Sequence, residues 1–237
     1  MIELIDCLTN STILSVCACI AFFNAYKSRD VVRRVWILFG LAAVEYVFSD
    51  IYNALFLIFY DRTPTFYIAD ISYYTSYLFM ILLLLYVSER VSIRMMSWRQ
   101  VLIPIFTVSM GIFFYVTSGD IFGNIVSVVE MTIAIWLATG GLELERQKAR
   151  ILRREQESGA PAAKEPAGPK MTSGPNKKPF YILCLVIYAL EYGFWITSTY
   201  WVGDTLLNPY FWLDVPFFIC YICMIPAIKM AVKEDVG

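Results

Sequence analysis

The sequence predicts an all-α polytopic membrane protein of seven transmembrane helices in a parallel 3+1+3 repeat. Three observations carry this expectation. Of 237 residues, 59% are apolar or aromatic and 16% are charged, with a mean hydropathy of +0.61, whereas soluble domains carry about 25% charged residues. The apolar residues fall into runs of roughly 20, the length that crosses a bilayer core. The basic residues collect in alternate loops, the pattern that orients a membrane chain. This composition argues against a soluble enzyme, a nucleic-acid binder and a disulfide scaffold. The complete absence of histidine removes Ser-His-Asp and Cys-His catalysis, His-ligated metal sites and a histidine pH switch. No enzymatic motif, cofactor or metal site is read from the chain.

The first helix is predicted over 10–26, the second over 35–60 and the third over 66–87. The fourth follows over 101–117. The fifth spans 121–142 and continues as a charged helix towards residue 157. The sixth is predicted over 180–202 and the seventh over 210–232. The first apolar run follows Glu3 and Asp6 rather than a basic stretch, and no small-x-small cleavage site succeeds it, so it is expected to remain as a span. Asn10-Ser11-Thr12 has the form of a glycosylation acceptor, but it abuts the membrane and reads better as chance.

Loop charge sets the orientation. Lys27, Arg29, Arg33 and Arg34 lie between helices one and two, and Arg90, Arg94 and Arg99 between three and four. A larger group runs from Arg146 to Lys178, and Lys229 and Lys233 end the chain. Eighteen of the 19 basic residues therefore fall on one side, with Arg62 alone on the other. The positive side is expected to be cytoplasmic, with the N-terminus outside and the C-terminus inside a multi-pass cell-membrane protein.

A single membrane domain is expected. Residues 1–142 supply helices one to five, and 180–237 complete the domain. Between them, 143–179 are predicted to be cytoplasmic: a charged helical extension to residue 157, then a Pro-, Gly-, Ala- and Lys-rich linker with little to bury. The linker reads as a tether, or as a contact for lipid headgroups or a cytoplasmic protein partner through its lysines.

Helices two and three resemble helices six and seven. Glu45-Tyr46-Val47-Phe48 matches Glu191-Tyr192-Gly193-Phe194 at an offset of 146, and Asp70, Tyr77 and Met80-Ile81 match Asp214, Tyr221 and Met224-Ile225 at 144. Acidic residues are rare in spans, so two coincident acidic pairs point to a repeat of helices 1–3 and 5–7 with helix four as connector. Such repeats place binding sites where the halves meet.

This plan resembles that of the microbial rhodopsins. Tyr67-Ile68-Ala69-Asp70, with Thr75 following, is similar to the third-helix segment that holds their Schiff-base counterion. Leu213-Asp214-Val215 is similar to the seventh-helix segment of the second counterion. The resemblance implies a seven-helix bundle with an internal pocket flanked by Asp70 and Asp214. It departs where function is decided. The position of the retinal lysine, four residues after Asp214, is Phe218, while the family's arginine position is Tyr67 and its proton-donor position is Ile81. No Schiff base can form, so light-driven pumping through covalent retinal is not expected.

Six acids fall within predicted spans: Glu45, Asp50, Asp70, Glu130, Glu191 and Asp214. No Lys or Arg lies deep in a span to pair with them. A mid-membrane charge costs at least ~2.5–3.5 kcal/mol, so these groups are expected to face the bundle interior. They read either as protonated glue between helices or as a site for an ion, a proton or a cationic ligand. Their order along the helices predicts an outward-opening acidic funnel ending in the Glu45–Glu191 pair. Tyr73, Tyr77 and Trp195 lie deep enough to form an aromatic box for a cation; Trp201, Tyr210, Phe211 and Trp212 read as an interfacial belt. Cys220-x-x-Cys223 reads as small apolar packing.

The expected function is a transporter or permease. It would bind a cation or cationic small molecule at Asp70, Asp214, Glu45 and Glu191, with Asp50 and Glu130 secondary. The alternatives are a seven-helix sensor signalling through the loop between helices five and six, and a retinal-free rhodopsin-like protein holding an apolar ligand non-covalently. In each case membrane lipid surrounds the chain and no nucleic acid is a partner.

Overall fold

The computed structural model describes residues 2–60, 68–88, 98–118, 121–157, 176–199, 207 and 209–232. Seven α-helices account for nearly all of them: α1 (Ile2–Lys27), α2 (Asp30–Tyr60), α3 (Ile68–Ser88), α4 (Leu102–Ser118), α5 (Ile121–Glu157), α6 (Lys178–Thr199) and α7 (Pro209–Ala231). A 3₁₀ turn over Trp98–Val101 leads into α4. No strand occurs among the described residues. Segments this apolar bury their surface only when every backbone polar group is bonded internally, and the helix alone does that within one segment.

Four helices are long and apolar enough to cross a membrane, over Leu4–Lys27, Asp70–Ser88, Gly123–Ile151 and Phe211–Ala231. Leu102–Thr117 is a shorter apolar helix. The helices α2 and α6, which carry Glu45, Asp50 and Glu191, are not among these four. Large apolar side chains are exposed on the helices, among them Phe59, Val116, Ile112 and Ile125. These features fit a helical membrane protein.

The first helix begins two turns earlier than expected, at Ile2 rather than residue 10. Its early acids do not stop it, since negative side chains favour a helix N-terminus. The buried Asn10 lies inside this helix and donates to Asp6 Oδ2 at 3.3 Å, which disposes of a glycan there. The second helix begins at Asp30 rather than residue 35. A two-residue turn precedes it, and Asp30 takes a φ of 47°, a left-handed conformation that Asp tolerates better than most residues. The α6 helix starts at Lys178 with Pro179 in its first turn, where a missing N–H breaks no bond. Of the expected tether at 158–179, residues 158–175 lie outside the described residues, as do 66–67 and 200–202 of the predicted third and sixth helices, and Lys178 and Pro179 belong to α6 rather than to the tether. Pro216 and Pro226 both sit inside α7 without ending it.

The helices form a closed ring. In order around it, α1 packs on α2, α2 on α3, α3 on α5, α5 on α6, α6 on α7, and α7 on α1. The remaining helix, α4, sits outside the ring against α5, tied to it by the Thr107 and Thr132 hydroxyls at 2.6 Å. The core is aromatic. Phe217 and Tyr221 of α7 meet Tyr46 of α2 at ring-centroid distances of 5.2 and 6.3 Å, and Phe194 of α6 meets Phe217 at 5.5 Å. The Ser76 hydroxyl donates to the Ala42 carbonyl at 2.7 Å and joins α3 to α2. At the end where α1, α3, α5 and α7 finish, Lys177 donates to the Val87 carbonyl at 2.7 Å and the Tyr181 hydroxyl to Ser88 Oγ at 3.2 Å. These two bonds clamp the start of α6 to the end of α3.

The α5–α6 contact depends on Gly141, whose added Cβ would collide with the ring of the fully buried Tyr181. Overpacking of this kind costs about 1–3 kcal/mol. Gly141→Ala is therefore expected to lower the melting temperature of detergent-purified protein, while Ala at the exposed Val116 leaves it within about 0.5 kcal/mol of wild type.

Candidate functional site

Asp50, Asp70, Glu130, Glu191 and Asp214 lie in one half of the bundle, the half where α1, α3, α5 and α7 begin and α2 and α6 end, and Glu45 is midway along α2. Measured along the helices at ~1.5 Å per residue, Asp50 is about 15 Å from the end of α2, Glu130 about 13 Å from the start of α5 and Glu191 about 12 Å from the end of α6. Among the described residues no Lys or Arg lies in this half; the basic side chains are at the opposite end and on the α5 extension. Both ion pairs among the described residues, Arg146–Glu143 and Lys148–Glu145, are on that extension.

A cavity of about 180 Å³ opens between α2, α3, α5 and α6. Three carboxyl groups reach it: Asp70 from α3, Glu130 from α5 and Glu191 from α6. Four tyrosines, Tyr46, Tyr73, Tyr74 and Tyr77, with Phe194, supply its aromatic wall. Tyr77 hydrogen-bonds Glu191. The Tyr46 and Tyr73 rings meet edge to face at 4.7 Å, a geometry that holds both in place. Glu191 is 9% exposed. Its Oε1 and the Oε2 of Glu130 are buried and accept no hydrogen bond. Asp70 is in the first turn of α3, where an acid also complements the helix dipole.

Below the cavity, towards the basic end, the inner face of α6 presents Tyr188, Cys184 and Tyr181 in succession, and Lys177 just before the helix continues the column, all buried. The Tyr188 ring lies 6.0 Å from that of Tyr77. This column, ended by the clamp on Val87 and Ser88, closes the bundle beneath the cavity.

The remaining acids gather elsewhere. Asp50 and Asp214 are 4% and 7% exposed. Asp214 hydrogen-bonds Asp6 of α1, and Asp50 is within its electrostatic reach. The Tyr73 hydroxyl donates to Asp50 Oδ1 at 3.0 Å and accepts from Asn53 at 3.3 Å. Tyr73 thus touches both acidic groups. Glu45 is partly exposed and does not line the cavity.

The expected single funnel is therefore two neighbouring clusters. Asp70, Glu130, Glu191, Tyr73 and Tyr77 line one cavity. Asp50 and Asp214 form the second group, and Glu45 joins neither. Trp195 lies in α6, with its side chain outside the described residues. Tyr46, Tyr74, Ser127 and Phe194 complete the cavity without having been singled out. Tyr46 was within reach, since it neighbours Glu45 in the repeated Glu-Tyr-x-Phe segment. Asp6 was set aside as a flanking charge because the first helix was taken to begin after it. Cys220 is buried, Cys223 exposed, and the described cysteines are all free. Among the described residues no group of three or more Cys, Asp or Glu is arranged to hold a metal ion.

Chemically, three carboxyl groups facing one enclosed space repel one another when ionised. Protons or a bound cation must balance them, and the tyrosine faces add cation–π attraction. At about 180 Å³ the space is below the ~300–1,000 Å³ of drug-sized sites, so it suits a small guest. Fold and site together define a helical membrane protein with an acid-lined internal cavity. Comparison with family models, with curated proteins and with solved structures finds no match to this chain.

Removing the Tyr73 hydroxyl leaves Asp50 Oδ1 without its donor. A buried acceptor stripped of its partner costs about 1–3 kcal/mol. Tyr73→Phe is expected to melt lower by this amount, whereas Tyr115→Phe on the exposed face of α4 is expected to melt as wild type does.

Proposed function

We propose that this chain is a seven-span membrane carrier that takes a small cation or cationic solute from outside into the Asp70–Glu130–Glu191 cavity. The observation that carries the reading is the pair of buried, unpartnered carboxyl oxygens of Glu130 and Glu191 facing a tyrosine-walled space, with no Lys or Arg among the described residues of that half of the bundle. Buried charge is normally paired; here the partner is the guest. The clamp beneath the cavity supports an arrangement open to the outside and shut on the cytoplasmic side.

The seven spans, the topology and the repeat belong to the same reading. Loop charge favours an outside N-terminus. The ring supports the repeat, because each contact in one half has a counterpart in the other: α1–α2 with α5–α6, α2–α3 with α6–α7, and α3–α5 with α7–α1. With α4 outside the ring, its role is that of connector. The likeness to microbial rhodopsins extends to a central pocket but not to a covalent chromophore, since the buried Phe218 stands where the lysine would be.

Two experiments test this. Purified protein is melted in sodium, potassium, methylammonium and tetramethylammonium chlorides. A guest present at 100 times its Kd stabilises the folded state by about 2.7 kcal/mol, so at least one cation should raise the melting temperature saturably, and Glu191→Gln and Glu130→Gln should abolish the rise. If none of the four shifts wild type, or the variants respond equally, the assignment is wrong. For topology, reporters active only in the cytoplasm or only outside are fused after Lys27, Tyr60, Ser88, Ser118, Glu157 and Thr199. The expected compartments alternate, beginning with the cytoplasm at Lys27. Two consecutive fusions in one compartment would remove a span.

A further inference from the structure

The cavity has a direction. On α3 its lining residues Asp70, Tyr73, Tyr74 and Tyr77 follow one another at steps of three and four. They form one stripe two turns long, about 10 Å at ~1.5 Å per residue. Asp70 is in the first turn of α3 and marks the outer end. Tyr77 marks the inner end, where its ring lies 6.0 Å from that of Tyr188, one turn before Glu191 on α6. Glu130 and Glu191 lie at matched depth, about 13 and 12 Å from the ends of their helices by the same rise. Each brings a buried oxygen that accepts no hydrogen bond, Glu130 Oε2 and Glu191 Oε1, and Glu191 is 9% exposed. Between this inner end and the outer one, Tyr73, Tyr74, Phe194 and Met131 form the wall.

Two bare acceptors at the bottom of a ring-walled space complement a guest with N–H donors at one end and hydrocarbon behind them. A primary ammonium group carries three donors and no acceptor. Two of them match the glutamate oxygens. Ser127, buried one turn before Glu130 and lining the same space, has hydroxyl lone pairs for the third. A protonated carboxyl still has acceptor capacity, so the seat is complete with one of the two glutamates protonated. Other cations match it less well. Hard metal ions such as calcium take about 6–8 oxygen ligands, and among the described residues no group of three or more acids is arranged to hold one. A quaternary ammonium has no N–H and leaves both oxygens without a donor.

We propose that the guest is a primary alkylammonium with a short unbranched chain. Its –NH₃⁺ group sits between Glu130 and Glu191, and its hydrocarbon lies along Tyr73, Tyr74 and Phe194 towards the outer end. This names the substrate class of the carrier reading above and rests on that reading. A butyl chain and its nitrogen extend about 5 Å between end atoms, from bonds of ~1.5 Å, and their van der Waals radii bring them to most of the stripe's length. An octyl chain outruns it.

Calorimetric titration of the purified full chain tests the proposal, with methyl-, ethyl-, propyl-, butyl- and octylammonium chlorides. Burial of each methylene is expected to tighten Kd about fourfold from methyl- to butylammonium. Octylammonium should bind no tighter than butylammonium; partition into detergent would instead keep rising with length. Butanol, sodium chloride and tetramethylammonium chloride should not displace butylammonium. Glu191→Gln should weaken every amine at least tenfold. Tyr74→Ala, at a partly buried wall position, should flatten the dependence on chain length while methylammonium still binds. An affinity that ignores chain length, one that climbs through octyl, or displacement by tetramethylammonium as effective as by butylammonium would each overturn the amine assignment. The length series is read on wild type, so it decides the matter even if a variant fails to fold. If the amine assignment falls while sodium, potassium or tetramethylammonium still stabilises the protein, the carrier reading survives alone; if no cation binds, both fall.

Discussion

Carboxyl groups buried in an apolar bundle, with no basic side chain beside them among the described residues, are the constraint around which this molecule is built. An isolated buried charge is too costly to keep, so each acid must find a hydrogen bond, a proton or a guest. The structure uses tyrosine hydroxyls and neighbouring carboxyls for this purpose. Tyr73 donates to Asp50, Tyr77 bonds Glu191, and Asp6 bonds Asp214. The oxygens left over, on Asp50, Glu130, Glu191 and Asp214, mark where the protein alone does not complete the bonding.

The ring translates that constraint into geometry. Six helices close on each other, and the basic end is clamped by Lys177 and Tyr181, while the acids occupy the other half. The cavity falls where α3 and α5 adjoin, because there the two halves of the chain meet and the tyrosines of α3 hold the walls apart. Where α7 and α1 adjoin, Asp214 lies beside Asp6. Removing α4 to the outside lets α3 meet α5 directly, and without that contact Asp70 and Glu130 would not line one space.

Tyr73 has a structural and a chemical role at once. Its ring packs on Tyr46 and its hydroxyl is held between Asn53 and Asp50. Such a network is stiff because each member has one satisfied geometry, and low polarity around it strengthens every bond.

The helical class, the apolar spans, the one-sided distribution of basic residues and the acids worth watching are all readable from the chain. Each depends on composition and local order: long apolar runs must be helical in a medium without water, and acids inside such runs stand out against it. Which acids meet is not readable that way. Glu45 and Glu191 each open a Glu-Tyr-x-Phe segment, yet Glu191 faces the cavity and Glu45 does not, because a helix rotated by one residue turns a side chain through about 100°. Asp6 was missed because a helix end tolerates polar residues, so hydropathy locates the start of a span poorly. The division into a cavity and a carboxyl pair comes from the closing of the ring, which brings α1 against α7 and α3 against α5 across more than a hundred and about forty residues of chain. Contacts at that separation leave no local pattern in a sequence; packing in three dimensions alone creates them.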